Sequence, residues 1–263
     1  MTQPFDLDGF SRRRLITTGA LALGGLSLAG CDRLSRAPSA QSLIGAAQGL
    51  TLHGQRLLLA GQPLAREYSA RDISPIFKPN GSTAPSNPAY QALAANAFAD
   101  WRLRIDGLVA RPLSLSLAQL KALPARTQIT RHDCVEGWSA IGGWTGVQLG
   151  GLLAAAQLLP NARYVVFHCA DDLGAATDGS DRYYESLDLF DAFHPQTILA
   201  YAMNGQPLAV AHGAPLRLRV ERQLGYKQAK YVMRVEAVER FDHIAGGKGG
   251  YWEDRGYEWY AGI

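Results

Sequence analysis

Cysteine is scarce in this chain, with three in 263 residues. That excludes a disulfide scaffold and a four-cysteine zinc site. Charge of one sign is lacking too, since 26 Lys plus Arg stand against 23 Asp plus Glu. A formal net charge of +3, spread along the chain, leaves no basic footprint for nucleic acid. There is no P-loop and no Gly-x-Gly-x-x-Gly after a strand. A serine nucleophile elbow fails at Gly137-Trp138-Ser139-Ala140-Ile141, where Ile stands in place of Gly. The longest uncharged apolar run, Leu15 to Ala29, holds three glycines and falls short of the roughly 20 residues of a membrane span.

What is present is an ordinary globular composition, 47% apolar, with 28 Gly and 13 Pro. Residues 1–30 read as an address rather than as fold. Ser11-Arg12-Arg13-Arg14-Leu15-Ile16 precedes the apolar run and resembles a twin-arginine export signal. Leu28-Ala29-Gly30-Cys31 resembles a bacterial lipobox, which makes Cys31 the lipidation candidate. Asp32 after it favours retention at the inner membrane in such signals. The expectation is a periplasmic protein, exported by the twin-arginine route and anchored to the inner membrane by lipid.

Residues 31–75 are expected to form a tether and N-terminal arm, and residues 32–100 to be irregular, because Pro38, Pro63, Pro75, Pro79, Pro85 and Pro88 break any long helix. Tyr90 to Phe98 suits a short helix. From Trp101 onward the pattern is regular. Leu103 and Ile105 alternate with Arg102, Arg104 and Asp106, as a half-buried strand does. Ser116 to Leu123 and Leu149 to Leu159 suit helices. Thr127–Arg131, Tyr164–Phe167, Leu216–Val220 and Tyr231–Ala237 suit strands, and Ile198 to Val210 suits a hairpin turning at Asn204-Gly205. Short strands and helices without regular βαβ spacing predict an α+β domain with mixed sheets, spanning 76–242. A Gly- and aromatic-rich tail follows at 243–263.

The chemistry concentrates in Arg131-His132-Asp133-Cys134-Val135-Glu136-Gly137-Trp138 and the glycines after it. Cationic neighbours lower a thiol pKa, and a thiolate is both a nucleophile and a soft metal ligand. Read from the residues, Cys134 has three uses. It could pair with His132 in a cysteine hydrolase, form a disulfide with Cys169, or ligate a metal.

Five motifs in order resemble the molybdopterin-binding domain of the sulfite oxidase family, from about Phe77 to Arg240. They are Phe77-Lys78-Pro79-Asn80-Gly81, the strand Trp101 to Val109, Cys134-Val135-Glu136-Gly137-Trp138, His212-Gly213-Ala214-Pro215-Leu216-Arg217, and Gly225-Tyr226-Lys227-Gln228-Ala229-Lys230. The resemblance implies a sulfite-oxidase-type fold and a molybdenum–molybdopterin cofactor. Cys134 would be the molybdenum ligand. Asn80, Cys169, His212, Arg217, Gln228, Ala229 and Lys230 would contact the pterin and its phosphate. Cys169 stands where relatives often carry Thr, a departure that still allows a backbone contact.

On the substrate side, Arg131, His132 and Arg222 are candidates to meet an anion, and Tyr183, Tyr184 and Glu185 resemble the segment opposite the metal. Arg131 and Tyr184 are the expected catalytic partners of Cys134. The arginine-rich stretch that follows the cysteine in sulfite oxidases is absent, since Glu136-Gly137-Trp138 stands there. The implied activity is therefore oxygen-atom transfer on an S- or N-oxide. A sulfite-oxidising enzyme and a non-catalytic binding domain are the alternatives. No haem-attachment Cys-x-x-Cys-His occurs, and no immunoglobulin-like domain follows the last strand, so a separate carrier (a cytochrome or a membrane haem protein) would exchange the electrons. The tail could cover the active-site mouth, dock that carrier, or pack on the core.

Overall fold

The computed structural model describes residues 37–174 and 181–263. The twin-arginine motif and Cys31 lie outside the described residues. The chain divides into two compact units, Met1–Ala60 and Gly61–Ile263.

In the first unit the described residues form a 21-residue helix, α1 (Pro38–Leu58). This corrects the irregular arm expected there. Pro38 sits at the first helical position, where its missing N–H costs nothing, and the next proline is Pro63. Between them Ala, Leu and Gln favour helix. Among the described residues no helix is long and apolar enough to cross a membrane.

In the second unit the elements run α2 (Pro88–Ala95), β1 (Arg102–Gly107), β2 (Leu113–Ser116), α3 (Leu117–Lys121), β3 (Ala125–Asp133), β4 (Ser139–Gln148) and α4 (Leu149–Ala156). Then come β5 (Tyr164–Asp172), β6 (Arg182–Asp188), α5 (Leu189–Ala192), β7 (Ile198–Met203), β8 (Gln206–Pro207), β9 (Arg217–Arg219) and β10 (Val232–Val238). One five-stranded sheet has the order β2-β1-β10-β5-β6, and in the other β3, β4 and β7 are followed by β8 and β9, both paired to β7. Among the described residues only β1 and β10 pair in parallel; the other strand pairs are antiparallel. One mixed sheet and one antiparallel sheet with short helices make this the α+β fold that the strand pattern predicts.

Local chemistry sets the boundaries. Ser116 caps α3 by accepting from Gln119 N–H at 3.2 Å, while the Gln119 side chain accepts from Ser116 N–H at 2.8 Å. Asn204 and Gly205 both take positive φ, +50° and +76°, as a tight hairpin turn requires. Pro207 then leaves β8 only two residues long. Leu103, Ile105, Val165, Phe167, Val235 and Leu218 are wholly buried in the main core.

Candidate functional site

Strand parity decides which motif residues come together. Along β3 the residues Gln128, Thr130 and His132 are buried, whereas Arg131 points outward. Cys134 continues the buried parity just past the strand end. A turn follows, with Gly137 N–H donating to Cys134 C=O at 3.0 Å and Cys134 N–H to Trp138 C=O at 2.9 Å. The thiol is nearly buried and opens into a cleft of about 170 Å³. Asn80, Gly81 and Ser82 line it from one loop, Asp171 and Leu173 from the end of β5, and Tyr183 from β6. Tyr226, Gln228 and Lys230 line it from the loop before β10, and Trp252 and Tyr257 from the tail.

Behind this cleft lies a buried layer of arginine. Arg217 and Arg219 on β9 are wholly buried and stack over Trp144, 5.2 and 4.3 Å from its ring centroid. Arg219 is neutralised by a two-point bond to Glu221, at 2.9 and 2.6 Å. Among the described residues Arg217 has no such partner. It donates to Asn80 Oδ1 at 2.9 Å and to His212 C=O at 3.2 Å, and its Nε has no acceptor. Burial, and then the Arg219 charge, pull the Arg217 pKa down to about 9. All three residues of β9 are buried, so Arg217 and Arg219 both lie inside the protein although the strand alternates.

Lys230 repeats the pattern. Its ammonium reaches the carbonyls of Ser82 and Ala211, and burial followed by Arg217 lowers its pKa to about 7. Gly213, at φ +111°, lets the lysine stem pass, since a Cβ there would lie 2.9 Å from Lys230 Cβ. Asp171 has one oxygen accepting from Ser82 Oγ at 2.8 Å and one buried without a partner. Burial pushes its pKa up to about 6, against the pull of Ser82 and Lys230.

Of the sequence candidates, Cys134, Asn80, Gln228 and Lys230 meet at the cleft, and Arg217 stands one hydrogen bond behind it. The His212 ring packs edge-on to Phe77 at 5.8 Å with its Nδ1 buried and unpartnered. Burial, Arg217 and Lys230 lower its pKa. Ala229 is buried between the lining residues Gln228 and Lys230, and its carbonyl accepts from Leu218 N–H at 2.8 Å.

Other candidates go elsewhere. Cys169 is a free thiol buried in the main core, and its pKa is pushed well up by burial. Arg131 is exposed and paired with Asp133 at 3.0 Å. Arg222 is buried against Asp191 at 3.1 Å. The Tyr184 hydroxyl turns to Asp254 at 2.6 Å, and its neighbour Tyr183 faces the cleft instead. Successive residues of a strand face opposite sides, so a one-residue difference exchanges them.

Three readings of Cys134 are corrected. Burial outweighs its cationic neighbours Arg217 and Lys78 and raises the thiol pKa, so the protein alone does not activate it. Cys134 and Cys169 are both free, which removes the disulfide. A Cys–His hydrolase fails as well. His132 is wholly buried, Arg219 donates to its Nδ1 at 3.1 Å, and its Nε2 edge packs on Gly225, where a Cβ would lie 2.5 Å away. Burial and two arginines keep it neutral.

Ser82 and Asp171 were not foreseen as lining residues, whereas Trp252 and Tyr257 match one of the three uses expected of the tail, cover of the active-site mouth. Ser82 was legible as the neighbour of Asn80-Gly81. Asp171-Asp172, at the end of an apolar strand, was a visible signal for a buried acid. The tail aromatics follow no period.

The model of the oxidoreductase molybdopterin-binding domain matches residues 90–243. The chain is 37% identical over 252 residues to a putative protein-methionine-sulfoxide reductase subunit, YedZ1, of Azospira oryzae, covering 95% of this chain and 87% of that one. It is 32% identical over 240 residues to the protein-methionine-sulfoxide reductase catalytic subunit MsrP of Xanthomonas campestris, covering 89% and 72%. The sulfane dehydrogenase SoxCD of Paracoccus pantotrophus is a structural match with TM-score 0.47 and 25% identity, over 54% of this chain and 39% of that one. On the family match and the two full-length relatives, this chain belongs to the molybdopterin-binding oxidoreductases of the sulfite oxidase family, and its cofactor is molybdopterin carrying molybdenum.

Proposed function

We propose that this protein is the catalytic subunit of a periplasmic reductase acting on methionine sulfoxide or a similar S-oxide. The observation that carries the reading is the pairing of a free thiol, Cys134, with buried cations that lack carboxylate partners. A bound molybdopterin would bring dithiolene sulfurs and a phosphate, and this donor set suits both. Cys134 would give the protein thiolate to molybdenum. Arg217 and Lys230 would meet the phosphate, with a backbone donor from Ala229; the Gln228 N–H expected beside it is instead spent on Gly225 C=O at 3.1 Å. Asn80 and the unpartnered Nδ1 of His212 would bond the pterin edge. When bound, the cofactor supplies two-electron oxygen-atom exchange.

The overall reaction is sulfoxide plus two electrons and two protons giving thioether and water. A separate one-electron carrier, a cytochrome or a membrane haem protein, would supply the electrons. This chain's residues position the reactants. The thiol and cations hold the cofactor side, and Tyr183, Tyr226, Trp252 and Tyr257 form the open side.

That open side counts against sulfite. Arg131 and Arg222 are paired elsewhere and His132 is buried and neutral, so the cations expected for a small oxyanion are not offered. The names of the relatives point to a sulfoxide. The deciding experiment loads the protein with cofactor in its host, measures molybdenum and pterin, and assays methionine sulfoxide with a reduced dye and sulfite with an oxidised one. Stoichiometric molybdenum with sulfoxide reduction supports the reading. Sulfite oxidation alone overturns the substrate, and absence of both metal and pterin overturns the enzyme.

The location rests on Arg12, Arg13 and Cys31. Replacing Arg12 and Arg13 by Lys should stop export, as seen by cell fractionation. Replacing Cys31 by Ala should release the exported protein from the membrane fraction. Continued export or continued anchoring would reject each in turn.

A further inference from the structure

The family model ends at residue 243, yet two side chains lining the cleft, Trp252 and Tyr257, come from beyond it. Their rings stack with centroids 5.3 Å apart and planes 29° apart. Tyr226, from the loop that carries Lys230, meets Tyr257 edge-on at 5.2 Å. Tyr257 N–H donates to Trp252 C=O at 3.0 Å, and the Tyr226 hydroxyl donates to Glu258 C=O at 2.7 Å. The three rings thus form one braced wall.

The tail is fixed to β6 by several bonds. Tyr251 N–H donates to Tyr184 C=O at 3.0 Å, and Trp259 Nε1 donates to Ser186 Oγ at 2.8 Å. Glu253 enters a wholly buried cluster with Lys227, 2.6 Å away, and Glu185. Nothing in that cluster reaches the cleft lining, so its work is to seat the tail. Tyr257 nonetheless leaves 39% of its surface exposed. An aromatic ring held in place and half open beside a free thiol is disposed to receive something apolar.

The same cleft also holds the Cys134 thiol, whose metal would take the polar S–O group, while Asn80 and Lys230 stay with the cofactor. A dialkyl sulfoxide has a matching division: a polar S–O group and apolar alkyl arms. Thioether sulfur and its methyl group also pack favourably against aromatic rings. We infer that Trp252, Tyr257 and Tyr226 are the specificity wall for this substrate, gripping the alkyl arm of a methionyl-type sulfoxide. The inference rests on the sulfoxide-reductase reading and adds which residues choose the substrate.

The test is a chain-length series, from dimethyl sulfoxide through methyl ethyl to methyl n-butyl sulfoxide, run on molybdenum-loaded enzyme. A methylene in an apolar pocket is worth roughly tenfold or more in kcat/KM. The wild type should climb along the series. Trp252→Ala and Tyr257→Ala should flatten it by about tenfold, through KM, at unchanged molybdenum content. Tyr257→Phe should keep it steep. If Trp252→Ala fails to fold, Trp252→Leu and the half-exposed Tyr257 carry the test. A flat wild-type series, or variants as steep as wild type, would overturn the wall alone. A loaded wild type that reduces no sulfoxide would overturn the functional reading and the wall together.

Discussion

Two buried clusters in this protein handle charge in opposite ways. Around Lys227 the cation is outnumbered by acids. Glu185 and Glu253 both bind its ammonium, and burial together with Glu253 drives the Glu185 pKa well up. For Lys227 itself burial pulls the pKa down, but the two carboxylates outweigh it and hold the charge on the lysine. Around Arg217 and Lys230 the cations are in excess, meeting carbonyls and an amide oxygen, and both have lowered pKa values. The first cluster satisfies its cation within the protein, whereas the second leaves its cations short of a counter-ion, the state that the proposed cofactor phosphate would relieve.

Removing the thiol tests the ligand-binding cluster hardest. Cys134→Ser should abolish molybdenum retention and activity, as read by elemental analysis and dye assay. Retained metal would reject the assignment.

The next test sets one cluster against the other. Lys227→Met leaves two buried carboxylates facing each other and should cost about 3–5 kcal/mol, seen as a lower denaturation midpoint. Arg217→Met removes an under-compensated charge. In cofactor-free protein it should be neutral or stabilising, while cofactor retention falls by about 10–100-fold. Losses of equal size in cofactor-free protein would break the comparison.

A smaller effect should come from an anion alone. Inorganic phosphate at 100 times its Kd should stabilise cofactor-free protein by about 2.7 kcal/mol, and Arg217→Met should weaken that response. No shift in thermal midpoint with phosphate would count against an anion site at Arg217 and Lys230.

The smallest effect is one of pH. The unfolded chain keeps the Lys230 proton up to about its ordinary value of 10.5, and the folded protein only to about 7. Protons therefore favour the unfolded chain between those values, and stability from this group rises as pH climbs from 7 towards 10.5. Lys230→Met should flatten that part of the stability–pH curve of cofactor-free protein. Phosphate binding should run the other way, weakening above pH 7 as the ammonium is lost.

The legible part of the fold was whatever shows a period. Leu103 and Ile105 announced β1, and Asn204-Gly205 announced its hairpin. Cys134, Asn80, Gln228 and Lys230 were legible through motifs, because a ligand that needs those groups keeps them at set spacings. Arg217 was legible as a motif residue but not as a buried one, since alternation cannot say that both faces of a short strand are covered. Tyr184 was preferred over Tyr183 because a pair of tyrosines gives no parity of its own. The helix Pro38–Leu58 was missed by counting prolines without asking where they fall: one is at its first turn and the next is beyond its end. The tail was legible as cover for the mouth only as one of three uses, and which rings form the wall was not legible, because glycine and aromatic residues in irregular order give no direction.

The placement of β10 also has a consequence for how the molecule is made. The last strand in the chain lies between β1 and β5, so it joins a pair of strands made early to a pair made in the middle. Until Val238 has been synthesised, that sheet exists as two unconnected halves. Lys230, just ahead of β10, reaches its place over the Asn80 loop only with that closure. The lining of the pocket is therefore complete only once nearly the entire chain has been made.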